Sequence, residues 1–307
     1  MATSNEDRTL TLNGRKVTLT NQRKLYWPDE KITKGQLIDY YLSIADYILP
    51  HIKDRALSLH RFPNGIKRPG FYQKDLDLDQ TPDWVKSVPM LATSTGKEVD
   101  YLVCNNAATL AYMVNLGCIE VNPWLSRIRK PETPDYAVLD LDPEQIDFKY
   151  VVETAQHIRE LLDHWGVSCY VKTSGSRGLH IFIPLVPKHS YDDTRAFAEQ
   201  VANAVNAQLP ATTSVIRSKS QRNKKVYIDF LQNSRGQTIA APYSARPKPG
   251  ATVSMPLLWA EVNERLNIHD FNIFNSLQRL HEKGEIWHDM QSDTNDLRKI
   301  VRTARAG

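Results

Sequence analysis

A mixed α/β (α+β) architecture is predicted by three observations. These are the order strand-helix-strand-strand-helix-strand between residues 136 and 231, the 3.6-residue apolar periodicity of the two helices in it, and a separate series of short strands and helices before residue 130. That order is the RRM-like or ferredoxin-like one, with two helices on one face of a four-stranded sheet and the other face free for chemistry. The 307 residues are expected to form a single domain of two modules, an N-terminal α/β module over 1–130 and the RRM-like module over 131–307.

Composition narrows the class. With 41% hydrophobic and 9% aromatic residues the chain can bury real cores, which excludes wholesale disorder. The 39 Lys and Arg against 35 Asp and Glu leave a net charge of only +4, mildly basic and not histone-like. The longest apolar stretch, Ile181 to Val186, is interrupted by Pro184 and falls far short of the ~20 residues of a membrane-spanning helix. The start, MATSNEDRTL, lacks the basic and apolar regions of a signal peptide. Three scattered cysteines (Cys104, Cys118, Cys169) predict neither a disulfide framework nor a Cys-based zinc site. A soluble protein of a reducing cytoplasm is expected.

In the N-terminal module, TLTLNGRKVTLT alternates apolar residues around Asn13-Gly14, a dipeptide that accepts positive φ at both central positions of a type I′ turn, so residues 8–20 read as a hairpin. Thr33 is the expected cap of an amphipathic helix over 34–49, with Leu37, Tyr41, Ile44 and Ile48 on one face and Pro50 after its end. Strands are predicted over 56–60 and 70–74, a polar loop over 75–95, and a second helix over 106–116 stopped by Gly117.

Beyond a loop at 129–134 the periodicity is clearer. Strand 136–142 precedes a helix over 149–165 that buries Val152, Ala155, Ile158, Leu162 and Trp165 and closes at Gly166. Strand 168–173, the turn SGSRG, and strand 179–186 follow. Then come a helix over 192–209, with Phe197, Val201, Val205 and Leu209 in register, and strand 225–231.

Side chains two apart on a strand share a face, so Asp140 and Asp142 project together with Tyr136 and Val138. In the ferredoxin-like order 4-1-3-2 the neighbouring strands bring His180 and Asp229 to them. Three carboxylates so close raise one another's pKa unless a cation sits among them, and hard oxygen donors suit Mg²⁺ or Mn²⁺. The turn SGSRGLH (174–180) has the composition of an anion-binding nest, in which Ser174, Arg177 and His180 add donors, and Arg246 in APYSARP is a further phosphate candidate because guanidinium binds phosphate bidentately. At the N-terminal helix, the dipole end, free amides and Lys34, with Lys24 in reach, suggest a second phosphate site. Of the adjacent aromatics Phe71 and Tyr72, one faces away from the core side and is placed to stack a nucleobase, unless both pack into a two-sided core. Residues 217–225 (RSKSQRNKK) hold five basic residues and no acid, as a polyanion contact or a solvated hairpin tip. The histidines His51, His157, His164, His269, His281 and His288 show no metal-ligand spacing.

The motifs DLDP (140–143), SGSRGLH (174–180), VYIDF (226–230) and APYSARP (241–247), with TNQRKLYWP, RFPNG, PGFYQK and WAEV, resemble those of the archaeo-eukaryotic primase superfamily and, more narrowly, of the polymerase domain of bacterial ligase D. The resemblance runs nearly end to end. It implies a primase-polymerase fold and a template-dependent nucleotidyltransferase, using Mn²⁺ or Mg²⁺, that extends or fills DNA ends with ribo- or deoxynucleotides during double-strand-break repair. It further implies that Asp140, Asp142 and Asp229 hold two metal ions and that Ser174, Arg177, His180 and Arg246 bind the incoming NTP or dNTP. Lys24 and Lys34 would grip the 5′-phosphate of the downstream strand, Phe71 and Tyr72 would meet the template, and Arg222 would serve in the loop that aligns two DNA ends. Implied partners are DNA with a 5′-phosphorylated gap or broken end, Ku and a DNA ligase; the implied location is the bacterial cytoplasm at the nucleoid. Two departures stand out: Asn122 replaces a frequent His, and Arg177 replaces a frequent Lys. The last helix, over 296–304, is followed by no ligase or nuclease motif, which fits either a free-standing polymerase or an excised domain.

Two other functions remain open on the residues alone: a non-catalytic RRM-like nucleic-acid-binding module, and a metal-dependent nuclease. The acidic sheet face speaks against the first, since it would repel nucleic acid without metal, and the triphosphate-type turn with Arg246 against the second.

Overall fold

The structure, a computed structural model, describes residues 7–92 and 96–304, with side chains described as far as 300. The chain divides into two compact units. Met1–Trp124, Thr238–Ser254 and His269–Gly284 make the first; Leu125–Gln237, Met255–Ile268 and Glu285–Gly307 make the second.

The first unit opens with β1 (Arg8–Leu12) and β2 (Arg15–Leu19), paired antiparallel as predicted. Positive φ at Asn13 (47°) and Gly14 (72°) makes the turn. Two short strands not anticipated, β3 (Leu25–Trp27) and β4 (Ile32–Thr33), lead into α1 (Lys34–Ser43). Thr33 caps α1 in a capping box: its hydroxyl accepts from the Gln36 amide, and the Gln36 side chain accepts from the Thr33 amide. The single helix expected over 34–49 is two. The Ser43 hydroxyl takes the Tyr40 carbonyl at 2.7 Å, the chain leaves helical geometry at Ile44, and α2 (Ala45–Ile52) restarts there. Pro50 lies inside α2 and does not follow its end, since in so short a helix its missing N–H costs only one bond.

Next come β5 (Leu57–Arg61), β6 (Phe71–Gln73), β7 (Lys86–Leu91), β8 (Glu98–Val103), α3 (Ala107–Asn115) and β9 (Cys118–Pro123). They form a sheet in the order β6-β5-β8-β7, with β9 also on β5. Asn106 caps α3 and Gly117, at φ 92°, ends it, as predicted. The run 75–95 is no loop throughout. β7 pairs residue for residue along β8, from Lys86↔Val103 to Leu91↔Glu98. As an edge strand burying only Met90 fully, it lacks the apolar alternation that marks a strand in sequence; residues 93–95 of that run lie outside the described residues. Segment 241–248 returns to this unit and lies against β9. The Ala241 amide donates to Val121 O, the Val121 amide to the Ser244 hydroxyl, the Ala245 amide to the Tyr41 hydroxyl, and the Trp27 indole to Lys248 O.

The second unit contains β10 (Tyr136–Pro143), α4 (Phe148–His164), β11 (Tyr170–Thr173), β12 (Leu179–Pro184), α5 (Tyr191–Gln208), β13 (Thr213–Ser214), β14 (Val226–Asp229) and β15 (Pro256–Leu257). Their sheet order is β13-β14-β10-β12-β11-β15. The central four are antiparallel and in the 4-1-3-2 order read from the sequence; the short strands at either edge were not anticipated. Asp147 caps α4, and Ser190 with Asp193 forms a capping box on α5. Val152, Ala155, Ile158 and Leu162 of α4 and Phe197, Val201 and Val205 of α5 are buried. β14 stops at Asp229, which would strand the Val138 peptide of β10; the Asn233 side chain replaces the missing strand, accepting from Val138 N and donating to Val138 O, both at 2.7 Å.

The face opposite the helices is not wholly free. Tyr136 packs on Phe182, and Phe182 packs on Trp287, which is buried. An apolar cover thus closes the lower part of that face and leaves the end bearing the acids. The three cysteines are free thiols. Among the described residues, no helix is long and apolar enough to cross a membrane.

Candidate active site

Register builds the site. Lys172 of β11 pairs with His180 of β12, His180 with Asp140 of β10, and Asp140 with Asp229 of β14. One level of one sheet face therefore carries an ammonium, an imidazole and two carboxylates in a row. The Lys172 Nζ lies 2.7 Å from His180 Nδ1, and His180 Nε2 lies 3.3 Å from Asp140 Oδ1. Asp142 stands two residues further along β10 toward the open end, opposite Tyr227. Thus the sheet brings together Asp140, Asp142, Asp229 and His180, as the strand order predicted.

Asp229 accepts from the Leu231 amide at 2.8 Å and from the Tyr227 hydroxyl at 3.2 Å. Burial pushes its carboxyl above the ordinary value. Those two donors pull it back, while the Asp142 charge adds to the rise.

Between β11 and β12 the turn closes on a side chain. The Ser174 Oγ accepts from the amides of Ser176 (3.1 Å), Arg177 (3.1 Å) and Gly178 (3.0 Å). The N–H groups expected to stand open as a nest therefore point at the Ser174 hydroxyl, because a small hydroxyl two residues back reaches them first. A Cβ on Gly178 would come 1.7 Å from Leu141 O, so the turn can press against β10 only with glycine at that position. Arg177 is half-exposed and places its guanidinium 3.8 Å from Asp142.

Among the described residues, no three acidic, histidine or cysteine side chains are closed around one point as a ready-made metal cage. The donor set still fits a hard divalent cation. Asp140, Asp142 and Asp229 offer oxygen ligands from two directly paired strands at the open end of the sheet, and their present partners are His180, Arg177 and Tyr227.

In the first unit, Arg246 places its Nε 3.0 Å from Glu120 Oε2, in a pair of which Glu120 is almost wholly buried. His60, opposite Glu120 in register, puts Nδ1 3.3 Å from the same oxygen. Burial alone would raise the Glu120 carboxyl; the Arg246 charge and His60 outweigh it and hold it below the usual value. The His60 ring stacks on Tyr72 at 4.0 Å and 12°. Tyr72 and Phe71 both stand exposed on edge strand β6, and neither packs into a core; Arg61 lies over the Phe71 ring. Asn122 is buried, with its side chain toward Glu120 O.

Lys34 is buried, and its Nζ donates to Thr20 O at 2.7 Å; Lys24 donates to Asn64. Burial first, and Lys24 second, push Lys34 down to about 8. The amides of Lys34, Gly35 and Gln36 donate to Lys24 O, Gln22 O and Thr33 Oγ1. These are not the free amides expected there, because the chain folds back over the helix start, so an anion would meet ammonium groups. In the second unit's basic loop, Arg222 is buried: its guanidinium donates to Ile216 O and Arg217 O and covers the Tyr227 ring at 3.7 Å. Arg217, Lys219 and Lys224 are the exposed cations of that loop.

Sequence reasoning missed Lys172, Tyr227, Glu120 and His60. The first two carried a usable signal: each stands at a fixed strand position directly across from, or two residues before, a residue already singled out.

The family model for the primase-polymerase domain of LigD matches residues 33–287. The chain is 32% identical to the bifunctional non-homologous end joining protein LigD of Bacillus subtilis, over 92% of this chain and 45% of that protein. It is 31% identical to the multifunctional non-homologous end joining DNA repair protein LigD of Mycobacterium tuberculosis, over 94% of this chain and 39% of that protein. It therefore spans less than half the length of these relatives. Its fold is similar to that of the polymerase domain from Mycobacterium tuberculosis ligase D in complex with DNA, with a TM-score of 0.84 and 31% identity over 91% of this chain and 99% of that one.

Proposed function

The chain belongs to the LigD primase-polymerase family, and on that premise we propose a template-dependent nucleotidyltransferase that extends or fills broken DNA ends with ribo- or deoxynucleotides in end joining. The observation that carries the reading is the cross-strand placement of Asp140 and Asp229, with Asp142 at the open end of the same face and His180 beside them. Such a set suits phosphoryl chemistry, where charge must be neutralised and the reacting oxygens aligned.

Two ions, Mn²⁺ or Mg²⁺, held by Asp140, Asp142 and Asp229 would supply Lewis-acid activation of a primer 3′-hydroxyl and counter-charge for the departing pyrophosphate. His180 would offer an N–H and Arg177 a half-exposed guanidinium to the triphosphate. Ser174 holds the turn that carries both, and Arg246 is assigned to the same nucleotide by position in the family's motif. Lys24 and Lys34 would take the 5′-phosphate of a gap. Phe71 and Tyr72, exposed side by side on an edge strand, would stack template bases. Arg222 would shape the basic loop that meets a DNA end, with Arg217, Lys219 and Lys224 toward the phosphates. We place this activity in the bacterial cytoplasm at the nucleoid, with Ku and a DNA ligase as partners, and read the two units as one primase-polymerase domain.

The test is incubation with Mn²⁺, gapped 5′-phosphorylated DNA and labelled NTP or dNTP. Lengthening of the primer, abolished in Asp140→Ala with Asp142→Ala while DNA binding persists, supports the reading. Shortening would identify a nuclease, and binding with neither would identify a non-catalytic module.

A further inference from the structure

Lys172 sits in the middle of β11 with none of its surface exposed. A lysine is almost never buried so completely without a partner, because removing an ammonium from water is costly. A strand that needed only packing would carry a valine or isoleucine there, as β11 itself does with buried Val171. The ammonium lies over the Phe182 ring, with Nζ 5.5 Å from its centre, and 2.7 Å from His180 Nδ1. An ammonium has only hydrogens to offer, so a charged Lys172 in this contact requires the lone pair of Nδ1 and leaves the ring proton to Nε2.

We propose that Lys172 is the positioning residue of His180: its ammonium, buried across the strand pair from the imidazole, fixes ring orientation and tautomer so that Nε2 presents an N–H on the side of Asp140. Without a nucleotide that N–H faces Asp140 Oδ1 at 3.3 Å; with one, it is the donor offered to the triphosphate. The opposite tautomer would present a lone pair there and repel a phosphate oxygen. Lys172 is buried behind the imidazole and bears on the nucleotide through His180. The nucleotide half of this inference rests on the function proposed above; the tautomer half does not.

Two measurements test it. In metal-free protein with ¹⁵N-labelled histidine, long-range nitrogen–proton correlation spectra are expected to show His180 as the Nε2–H tautomer. Lys172→Met, of similar length but without a donor, is expected to redistribute it, and Lys172→Gln, which keeps an N–H, to restore it. A wild-type His180 carrying its proton on Nδ1, or a spectrum indifferent to Lys172→Met, overturns the proposal with no activity needed. In primer extension, Lys172→Met is expected to raise the nucleotide KM by about tenfold or more at unchanged DNA affinity, as for loss of a charge-assisted contact, with Lys172→Gln intermediate. In a His180→Ala background the same substitution is expected to add less than about twofold, the signature of action through one partner. Full additivity of the two losses overturns the positioning role. Should the wild type itself extend nothing, the proposed function fails while the tautomer result stands.

Discussion

The guanidinium of Arg222 lies over the ring of Tyr227, 3.7 Å from its centre, and the hydroxyl of that ring donates to Asp229. The basic loop and an acidic site residue are thereby joined through a single aromatic side chain. Tyr227→Phe keeps the ring under Arg222 and deletes one of the donors to Asp229. Because the Leu231 amide remains, the expected loss is about 1 kcal/mol of metal affinity, seen as a severalfold rise in the Mn²⁺ concentration for half-maximal extension with little change in melting temperature. Arg222→Ala exposes the ring and frees the Ile216 and Arg217 carbonyls, so it is expected to raise protease sensitivity within 216–225 as well as to weaken end bridging. An Arg222→Ala protein with an unchanged digestion pattern would contradict this anchoring role.

Lys34 yields a pH dependence whose sign is fixed by its environment. Its folded pKa of about 8 lies below the ordinary lysine value of 10.5, so between these values the native state binds fewer protons than the unfolded one. This group's contribution to stability therefore rises with pH through that window and is least favourable below about 8. A bound phosphate favours the charged form, so the preference for 5′-phosphorylated over unphosphorylated gaps is expected to decline as pH rises from about 7 to 9.5. Lys34→Met should abolish both the preference and its pH dependence, and raise the melting temperature of DNA-free protein at pH 7. Fluorescence anisotropy on the two DNAs across that range checks the first, and calorimetry the second.

Glu120 is almost wholly buried and sets its carboxylate against both the partly buried Arg246 guanidinium and the His60 ring, so its removal takes an ionic partner from two side chains at once. Glu120→Ala is expected to cost about 2 kcal/mol in urea unfolding, as for loss of a charge-assisted hydrogen bond, and Glu120→Gln less, since it keeps a hydrogen-bond acceptor for the guanidinium. Both should also raise the nucleotide KM by releasing Arg246 from its orientation. Equal stability of all three proteins would show that the pair is inconsequential.

Most of the second unit is legible in the sequence because its physics is local. Periodic apolar faces and Gly166 settle where the helices lie, and the strand order then places Asp140, His180 and Asp229. What escapes is set by long-range pairing. β7 has little apolar alternation and exists because β8 supplies its hydrogen bonds. The break at Ile44 depends on one serine hydroxyl. Glu120 and Lys172 read as ordinary strand residues until register sets them against His60 and His180. The open nest expected at 174–180 is an error of a different kind: the composition was right, but the hydroxyl that makes the turn also occupies its amides.

Gly178 makes the sharpest steric prediction. Its missing Cβ would lie 1.7 Å from Leu141 O, a backbone atom that cannot rotate away. Gly178→Ala must therefore push the turn off β10, moving Arg177 and His180 together relative to Asp140 and Asp142. Loss of nucleotide affinity and loss of melting temperature are expected together. Gly166→Ala, at positive φ but in open space, should cost stability alone, by about 1 kcal/mol.

Phe71 and Tyr72 differ in what lies behind them, and that difference predicts unequal effects. Tyr72 is backed by the parallel ring of His60, whose Nδ1 contacts buried Glu120, whereas Phe71 has the Arg61 guanidinium beside it. A base stacked on Tyr72 would extend an existing column, and the ring is already held in place, so little side-chain entropy remains to be lost on binding. Tyr72→Ala is therefore expected to weaken template binding by about 2 kcal/mol and Phe71→Ala by about 1 kcal/mol, within the range of one base stack. His60→Ala should reproduce part of the Tyr72→Ala loss without touching DNA itself. Anisotropy titrations with a single-stranded template overhang separate the three. Equal losses at Phe71 and Tyr72, together with a silent His60→Ala, would show that the column behind Tyr72 contributes nothing to template binding.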